Sequence, residues 1–330
     1  MNTFRSLVVD VVEGQHSMNV KELSIDDLMK GEVTIRVAYS SVNYKDGLAC
    51  APNGRIVRSY PMVPGIDLSG TVVASEDSRF HEGDEVIVTS YGLGVSHYGG
   101  FSSYARVPAE WVVPLPQGLT LREAMVLGTA GLAAALSIQR LEDNGLTPDQ
   151  GLVLVTGATG GVGSLAVSML ARNGYHVVAS TGKESEHAYL RSIGAEEIRS
   201  RSDVTPEKFK PVNQQHWAGV VDPVGGASLA YILSSTQYGG SVAVSGLTGG
   251  GDVPTTVFPF ILRGVNLLGI DTVETPMRVR TLLWARMAGN LKPAQDLFDV
   301  IAKEITMDEL PACLADILAG KIRGRTIVRL

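Results

Sequence analysis

The stretch Thr156-Gly157-Ala158-Thr159-Gly160-Gly161-Val162-Gly163 decides the fold of this chain. Before it stands the apolar run Gly151-Leu152-Val153-Leu154-Val155. After it comes Ser164-Leu165-Ala166-Val167-Ser168-Met169-Leu170-Ala171, with helical spacing and no breaker. Strand, glycine turn and helix in that order place a pyrophosphate over a helix N-terminus. Glycines let the backbone approach phosphate oxygens, where a Cβ would collide with the ligand. A glycine-rich loop with no ligand is the alternative. The flanking strand and helix, and a further strand at Tyr175–Ser180, favour a nicotinamide dinucleotide site in an α/β fold with a doubly wound parallel Rossmann sheet.

Downstream of the turn, helical and extended patterns alternate. Helix 161–173 and strand Tyr175–Ser180 lead to helix Ser185–Ile193 and a short strand near Glu197–Arg199. Strand Gly219–Asp222, helix Ala227–Thr236, strand Ser241–Ser245, strand Asn266–Ile270 and helix Pro276–Ala288 follow. This alternation implies βαβ crossovers and a parallel sheet. The glycine-rich stretch Gly246 to Gly251 falls at the carboxyl edge of that sheet, which lines the ligand crevice.

Upstream the texture is different. Phe4–Val12, Glu32–Val42, Leu68–Ala74, Glu85–Thr89, Ser102–Val107 and Trp111–Val113 are β-branched or alternating, with Gly, Pro, Asn and Asp between them. Short strands at that density predict a small barrel or sandwich. The change comes at Pro116-Gln117-Gly118-Leu119-Thr120, where Thr120 and Glu123 form a helix-opening capping box. The tail from Ile305 to Leu330 reads as strand, helix Met307–Ala319 and strand Thr326–Arg329, returning to the barrel. The expected domains are residues 1–124 with 297–330, and residues 125–296.

Composition narrows the class. The 330 residues are 45% apolar and 19% charged, enough for large cores and unlike a disordered chain. A net charge of −6 argues against a nucleic-acid binder. The two cysteines, Cys50 and Cys313, stand far apart and build neither a disulfide framework nor a cysteine-rich zinc site. Free thiols suit a reducing compartment, so the cytoplasm is expected. Asp10 and Glu13 interrupt the apolar N-terminal stretch, so no secretory signal is expected. The apolar run from Ala124 to Ile138 is shorter than the roughly 20 residues of a membrane span and reads as a buried helix.

The end of the second strand bears on which dinucleotide is held. A site for NAD usually carries Asp or Glu there for the ribose 2′-hydroxyl. This chain reads Ala179-Ser180-Thr181-Gly182-Lys183, with small hydroxyls and a cation in place of the acid. A 2′-phosphate wants donors and positive charge. Arg199 and Arg201 add cations nearby, so NADPH is expected; Lys183 as a solvated surface lysine is the alternative.

The segments Val63-Pro64-Gly65-Ile66-Asp67-Leu68-Ser69-Gly70-Thr71-Val72-Val73, Gly83-Asp84-Glu85-Val86 and Gly128-Thr129-Ala130-Gly131-Leu132-Ala133-Ala134, with the glycine turn, resemble the medium-chain dehydrogenase/reductase superfamily in the family's own order. The resemblance implies a GroES-like β-barrel catalytic domain beside the Rossmann domain. In the superfamily's zinc alcohol dehydrogenases the first segment reads Gly-His-Glu and the His binds catalytic zinc. Gly65-Ile66-Asp67 stands here, and isoleucine cannot ligate. The family's upstream ligand cysteine is replaced within Ser41-Val42-Asn43-Tyr44-Lys45-Asp46, and the four-cysteine structural lobe is missing. His81, Glu82 and His97 do not make a metal pattern; His97 reads as a loop residue or as one facing the active cleft.

Alcohol oxidation needs a Lewis acid or a strong base. Without either, the accessible chemistry is hydride addition to an already polarised acceptor, with donors for the developing enolate oxygen. Asn43-Tyr44-Lys45-Asp46, Arg55-Ile56-Val57-Arg58, Pro254-Thr255-Thr256-Val257, Pro259-Phe260-Ile261-Leu262-Arg263 and Gly324-Arg325-Thr326 resemble one zinc-free, quinone-oxidoreductase-like branch, which includes NADPH-dependent acrylyl-CoA reductases. That resemblance implies reduction of acryloyl-CoA to propanoyl-CoA by a homodimer without metal. Its cofactor contacts fall on Tyr44, Thr159, Gly160, Gly161, Val162, Thr181, Gly182, Lys183, Arg201, Leu247, Ile261, Thr272 and Arg325. The branch often has arginine where Lys183 stands. Tyr44 is the candidate catalytic residue; positioning, proton donation and a plain core role are all open for it.

Lys45, Arg55 and Arg58 are candidate cations for the phosphates of a CoA thioester, or a solvated loop. Phe258–Ile261 and Val265–Ile270 form an apolar sheet edge that a second copy would cover, in line with a homodimer. Two other functions compete: an NADPH quinone or enone oxidoreductase, and a non-catalytic NADPH-binding protein. No partner nucleic acid or membrane is expected.

Overall fold

In the computed structural model, which describes residues 3–208 and 210–330, the strand-rich N-terminal part opens with a hairpin. Strands β1 (Phe4–Val12) and β2 (Gln15–Leu23) pair antiparallel from Phe4↔Leu23 to Val12↔Gln15. Glu13 and Gly14 both have positive φ (51° and 79°), as a tight two-residue hairpin turn requires. Then come β3 (Val33–Val42), helix α1 (Tyr44–Cys50), β4 (Asp67–Ser75), β5 (Glu85–Thr89), β6 (Tyr104–Val107) and β7 (Val112–Pro114).

Helix α2 (Leu121–Asp143) starts at the expected capping box. Thr120 N–H donates to Glu123 Oε2 (2.9 Å) and Glu123 N–H donates to Thr120 Oγ1 (3.2 Å). Two helical runs meet within it at Gly128, whose backbone leaves helical geometry (φ 51°, ψ −155°). Among the described residues it is the one helix long and apolar enough to cross a membrane; 78% of its most apolar window is buried, which makes it a core helix.

The nucleotide-type sheet follows: β8 (Leu152–Val155), α3 (Gly161–Arg172), β9 (His176–Thr181), α4 (His187–Ser192), β10 (Glu197–Ser200), β11 (Trp217–Asp222), α5 (Gly226–Ser235), β12 (Thr236–Val244), α6 (Phe258–Arg263) and β13 (Asn266–Gly269). Its six strands are parallel and run in the order β10-β9-β8-β11-β12-β13. All six residues of β11 are buried, as expected of a strand covered on both faces. Leu154, Val178, Val220 and Val242 pack with Leu229, Ile232 and Leu233 of α5 in one core cluster. Each such side chain contributes about 1.5–3 kcal/mol on burial.

The chain ends in α7 (Met277–Ala288), α8 (Leu297–Ile301), β14 (Ala302–Thr306), α9 (Leu310–Leu318) and β15 (Arg325–Arg329). Strand β15 returns to pair antiparallel with β3, giving a sheet in the order β14-β15-β3-β4-β5-β7 with β6 also on β3.

Two compact units result: a β-rich unit of residues 1–129, 272–288 and 302–330, and a nucleotide unit of residues 130–271 and 289–301. The sequence texture predicts boundaries after 124 and 296. The division instead falls at the Gly128 break and gives the α7 segment to the β-rich unit, where buried Arg280 is bonded to Thr89.

Candidate functional site

In the nucleotide unit the glycine turn joins β8 to α3. Gly157 takes positive φ (51°), and Ala158 N–H donates to the Ser180 carbonyl (3.1 Å), tying the turn to β9. Gly160 caps α3 with no side-chain cap, so no cap side chain covers the backbone N–H groups of the first turn. The glycines differ in their reasons. A Cβ on Gly163 would stand 2.4 Å from the Gly157 carbonyl oxygen, so helix–turn packing demands glycine there. A Cβ on Gly160 would meet only that oxygen, at 3.3 Å. What a side chain at Gly160 would obstruct is the approach to the helix N-terminus, so the cradle fits a dinucleotide pyrophosphate.

Beneath the turn lies Asp222, at the end of β11 and fully buried. It accepts hydrogen bonds from the Thr156 hydroxyl and from Val224 N–H (3.2 Å) and Gly225 N–H (3.0 Å). Burial pushes its carboxyl above the usual range. The carboxylate thereby fixes the turns after two neighbouring strands, β8 and β11. Sequence reasoning missed it; the signal was an acid closing an otherwise apolar strand. Beside it, the turn Gly225-Gly226 packs against the loop 246–250: a Cβ on Gly226 would stand 2.3 Å from the Gly249 carbonyl oxygen. Leu247 of that loop is exposed.

At the end of β9, Thr181 Oγ1 accepts from Lys183 N–H (3.1 Å). Arg201 lies against Gly182: a Cβ there would stand 3.2 Å from its guanidinium carbon. The structure therefore brings Thr159–Val162, Thr181–Lys183 and Arg201 to one edge of the sheet. Arg199 is spent on Glu197 (3.0 Å). Ile261 is exposed on α6 among exposed Val257, Phe258 and Leu262.

In the β-rich unit Tyr44 is the first residue of α1 and is 43% exposed. Its helix is opened by Asn43, with Asp46 accepting from Asn43 N–H (2.7 Å) and from Ile66 N–H (2.9 Å). Burial pushes the Asp46 carboxyl up to about 7. Next to it, buried Asp67 accepts from Ser41 Oγ (2.6 Å), Asn43 Nδ2 (2.8 Å), Thr129 N–H (2.9 Å) and Thr129 Oγ1 (2.5 Å). Arg325, 3% exposed, donates to the carbonyls of Val126 (3.0 Å) and Val42 (3.2 Å), to Asn43 Oδ1 (3.1 Å) and to Ser41 Oγ (2.8 Å). Its guanidinium is thus held inside this unit. Gly128 passes over the cluster so closely that a Cβ would stand 2.6 Å from Asp67 Oδ2.

These residues do not fit a catalytic metal. Ile66 is apolar and 2% exposed, and both Asp67 oxygens already accept donors. Among the described residues no three His, Cys, Asp or Glu side chains form a group able to hold a metal ion. His97 is buried, its Nε2 bonded to the Arg106 carbonyl (2.7 Å), with its pKa lowered by burial. Arg55 and Arg58 are exposed on the loop after α1, and Lys45 is half-buried. Thr272 is half-buried just before α7.

Comparison with known proteins places the chain. Residues 29–117 match the alcohol dehydrogenase GroES-like domain and residues 161–289 match the zinc-binding dehydrogenase family. YhfP of Bacillus subtilis (strain 168), whose name assigns it provisionally to the quinone oxidoreductases, is 58% identical over 99% of both chains. Its crystal structure with NAD bound superposes with a TM-score of 0.98 over 100% of both chains. Acrylyl-CoA reductase AcuI of Ruegeria pomeroyi is 50% identical over 98% of each chain. The YhdH oxidoreductase of Salmonella enterica in complex with NADP is 46% identical, with a TM-score of 0.96 over 99% of both chains. This chain belongs to the medium-chain dehydrogenase/reductase superfamily, in the branch that holds YhfP and the acrylyl-CoA reductases, and is an NAD(P)-dependent oxidoreductase.

Proposed function

We propose that the protein reduces an activated C=C bond with NADPH, acryloyl-CoA to propanoyl-CoA being the best-supported case. The observation that carries the reading is the end of β9: Thr181, Gly182 and Lys183 with Arg201 laid against Gly182, cations where an NAD site would present a carboxylate. The name of the AcuI relative and the NADP held by the YhdH relative support it.

When bound, the reduced nicotinamide supplies a hydride to the β-carbon of the acceptor. Negative charge collects on the thioester oxygen and the α-carbon takes a proton. The chain's own contribution is binding and orientation. The backbone at Thr159–Val162 holds the pyrophosphate, and Thr181, Lys183 and Arg201 hold the 2′-phosphate. Tyr44, at an exposed helix start, offers its hydroxyl to the cofactor or to the developing enolate oxygen. Lys45, Arg55 and Arg58 offer charge for the CoA phosphates. In this reading Leu247, Ile261 and Thr272 line the cofactor. Arg325, buried beneath Asn43, acts on it through Tyr44's helix. The other exposed apolar residues of α6, Phe258 and Leu262, with Leu267 on edge strand β13, are read as a face covered by a second copy.

A second reading, quinone or enone reduction with little preference for CoA, is favoured by the name of YhfP. The deciding assay follows NADPH oxidation with acryloyl-CoA, crotonoyl-CoA and a benzoquinone. The proposal expects acryloyl-CoA to be the best acceptor. Strong activity on the quinone with little on either thioester overturns it in favour of the second reading.

A further inference from the structure

Arg280, in the first turn of α7, is fully buried and has no place in the chemistry above. Its Nη1 donates to the Thr89 carbonyl (3.1 Å) and to Thr89 Oγ1 (2.9 Å) at the end of β5. Its Nη2 donates to the Thr272 carbonyl (2.9 Å), with the Val273 carbonyl at 3.4 Å. The guanidinium carbon stands 4.3 Å over the Tyr91 ring. Tyr91 stacks on Trp111 with centroids 5.6 Å apart, and its hydroxyl donates to the Thr275 carbonyl (3.3 Å). One side chain thus holds two stretches, 89–91 and 272–275, that lie far apart in sequence.

Both stretches are unusual. Ser90 and Tyr91 take positive φ in succession (63° and 51°), a strained conformation for residues with side chains, which persists only where the surroundings impose it. Here Ser90 N–H is held by the Ile66 carbonyl (2.7 Å) and the Tyr91 ring by Arg280 and Trp111. Thr272 is where the chain enters the β-rich unit after Asp271. Burying a guanidinium against backbone carbonyls is a costly way to fill space, and an apolar side chain would pack more cheaply. What the fork supplies is geometry: two carbonyls and a ring fixed by one rigid plane.

We infer that Arg280 is a positioning residue for the cofactor: it clamps the Thr272 backbone to the strained Ser90–Tyr91 turn, so that Thr272 meets the dinucleotide already ordered. The inference rests on the reading that Thr272 contacts NADPH.

The test measures NADPH dissociation constants by fluorescence titration, with thermal melts, for wild type, Arg280→Lys and Arg280→Met. Arg280→Lys, which keeps the charge and loses the fork, is expected to melt cooperatively and to bind NADPH at least tenfold more weakly. Its KM for NADPH should rise in step, while kcat changes less than threefold. A lowered Tm with an unchanged dissociation constant marks a merely structural residue and overturns the inference. If neither variant folds, Tyr91→Leu takes their place, since it removes the ring and its hydroxyl's bond to Thr275 but leaves the guanidinium's own hydrogen bonds; unchanged NADPH affinity there overturns the inference too. Wild-type protein that binds no NADPH removes the cofactor reading and the clamp with it. Wild-type binding that Arg280→Lys leaves intact removes the clamp alone.

Discussion

One hydroxyl bridges Asp67 and Arg325. Ser41 Oγ accepts from Arg325 Nη2 at 2.8 Å and donates to Asp67 Oδ2 at 2.6 Å, and the two charges stand 3.8 Å apart, both buried. The pair fixes the start of Tyr44's helix through Asn43 and the break in α2 through Thr129. Removing one partner strands the other charge, so Asp67→Ala should cost about 3–5 kcal/mol. The double variant Asp67→Ala/Arg325→Met should cost less than the two single changes added together. Urea unfolding of the four proteins checks this, and strict additivity would count against a coupled pair.

Asp46 gives a pH dependence of definite sign. Its carboxyl is raised from 3.8 to about 7 in the folded protein, mainly by burial. Between those values the folded state holds a proton that the unfolded chain has released, so stability falls as pH rises through this window and levels off above it. Urea midpoints at about pH 5 and about pH 7.5 should show the decline in wild type and a smaller one in Asp46→Asn.

Lys183→Glu tests the cofactor preference. Charge-assisted hydrogen bonds are worth about 1.5–3 kcal/mol, so NADPH affinity should fall more than tenfold while NADH affinity holds or rises. An unchanged NADPH/NADH ratio would falsify the assignment of the 2′-phosphate to this corner.

Gly160 and Gly163 should respond differently to alanine. Gly163→Ala forces a Cβ against the Gly157 carbonyl and should cost about 1–3 kcal/mol of stability. Gly160→Ala should leave the melting temperature near wild type and weaken NADPH binding. Equal thermal losses in the two would contradict the separate roles.

Tyr44→Phe should fold normally, because the ring stays and the residue is 43% exposed. Turnover or NADPH affinity should drop by about the worth of a hydrogen bond to a charged group, roughly 1.5–3 kcal/mol. If neither changes, Tyr44 does not belong to the site.

The nucleotide sheet was legible because its signals are local. Apolar strands, the glycine turn and breakers stand within a few residues of one another, and the expected strand Tyr175–Ser180 differs from β9 by one residue at each end. Strand β2 was not read, since Gln15–Leu23 is mostly polar and little buried, and only pairing with β1 makes it a strand. Helix α1 was missed although Asn43 and Asp46 carry a capping pattern; seven residues are too few to show a period. In the candidate site, the glycine turn and the missing acid after β9 could be read directly. The roles of Asp222, Arg280 and the Asp67–Arg325 pair could not, because the partners that define them, Thr156, Thr89 and each other, lie tens to hundreds of residues away and no spacing announces them.

The return of β15 to β3 has a consequence for how the protein is made. Asp67 leaves the ribosome early, but Arg325, which balances it, emerges some 258 residues later. Most of the nucleotide unit, residues 130–271, is contiguous and free to fold while translation continues. The β-rich unit must wait with an unneutralised carboxylate at its centre and β3 lacking its β15 neighbour. On this account the part translated first is completed last. During synthesis the exposed flank of β3 is where a chaperone, or an unwanted neighbouring strand, would find its opening.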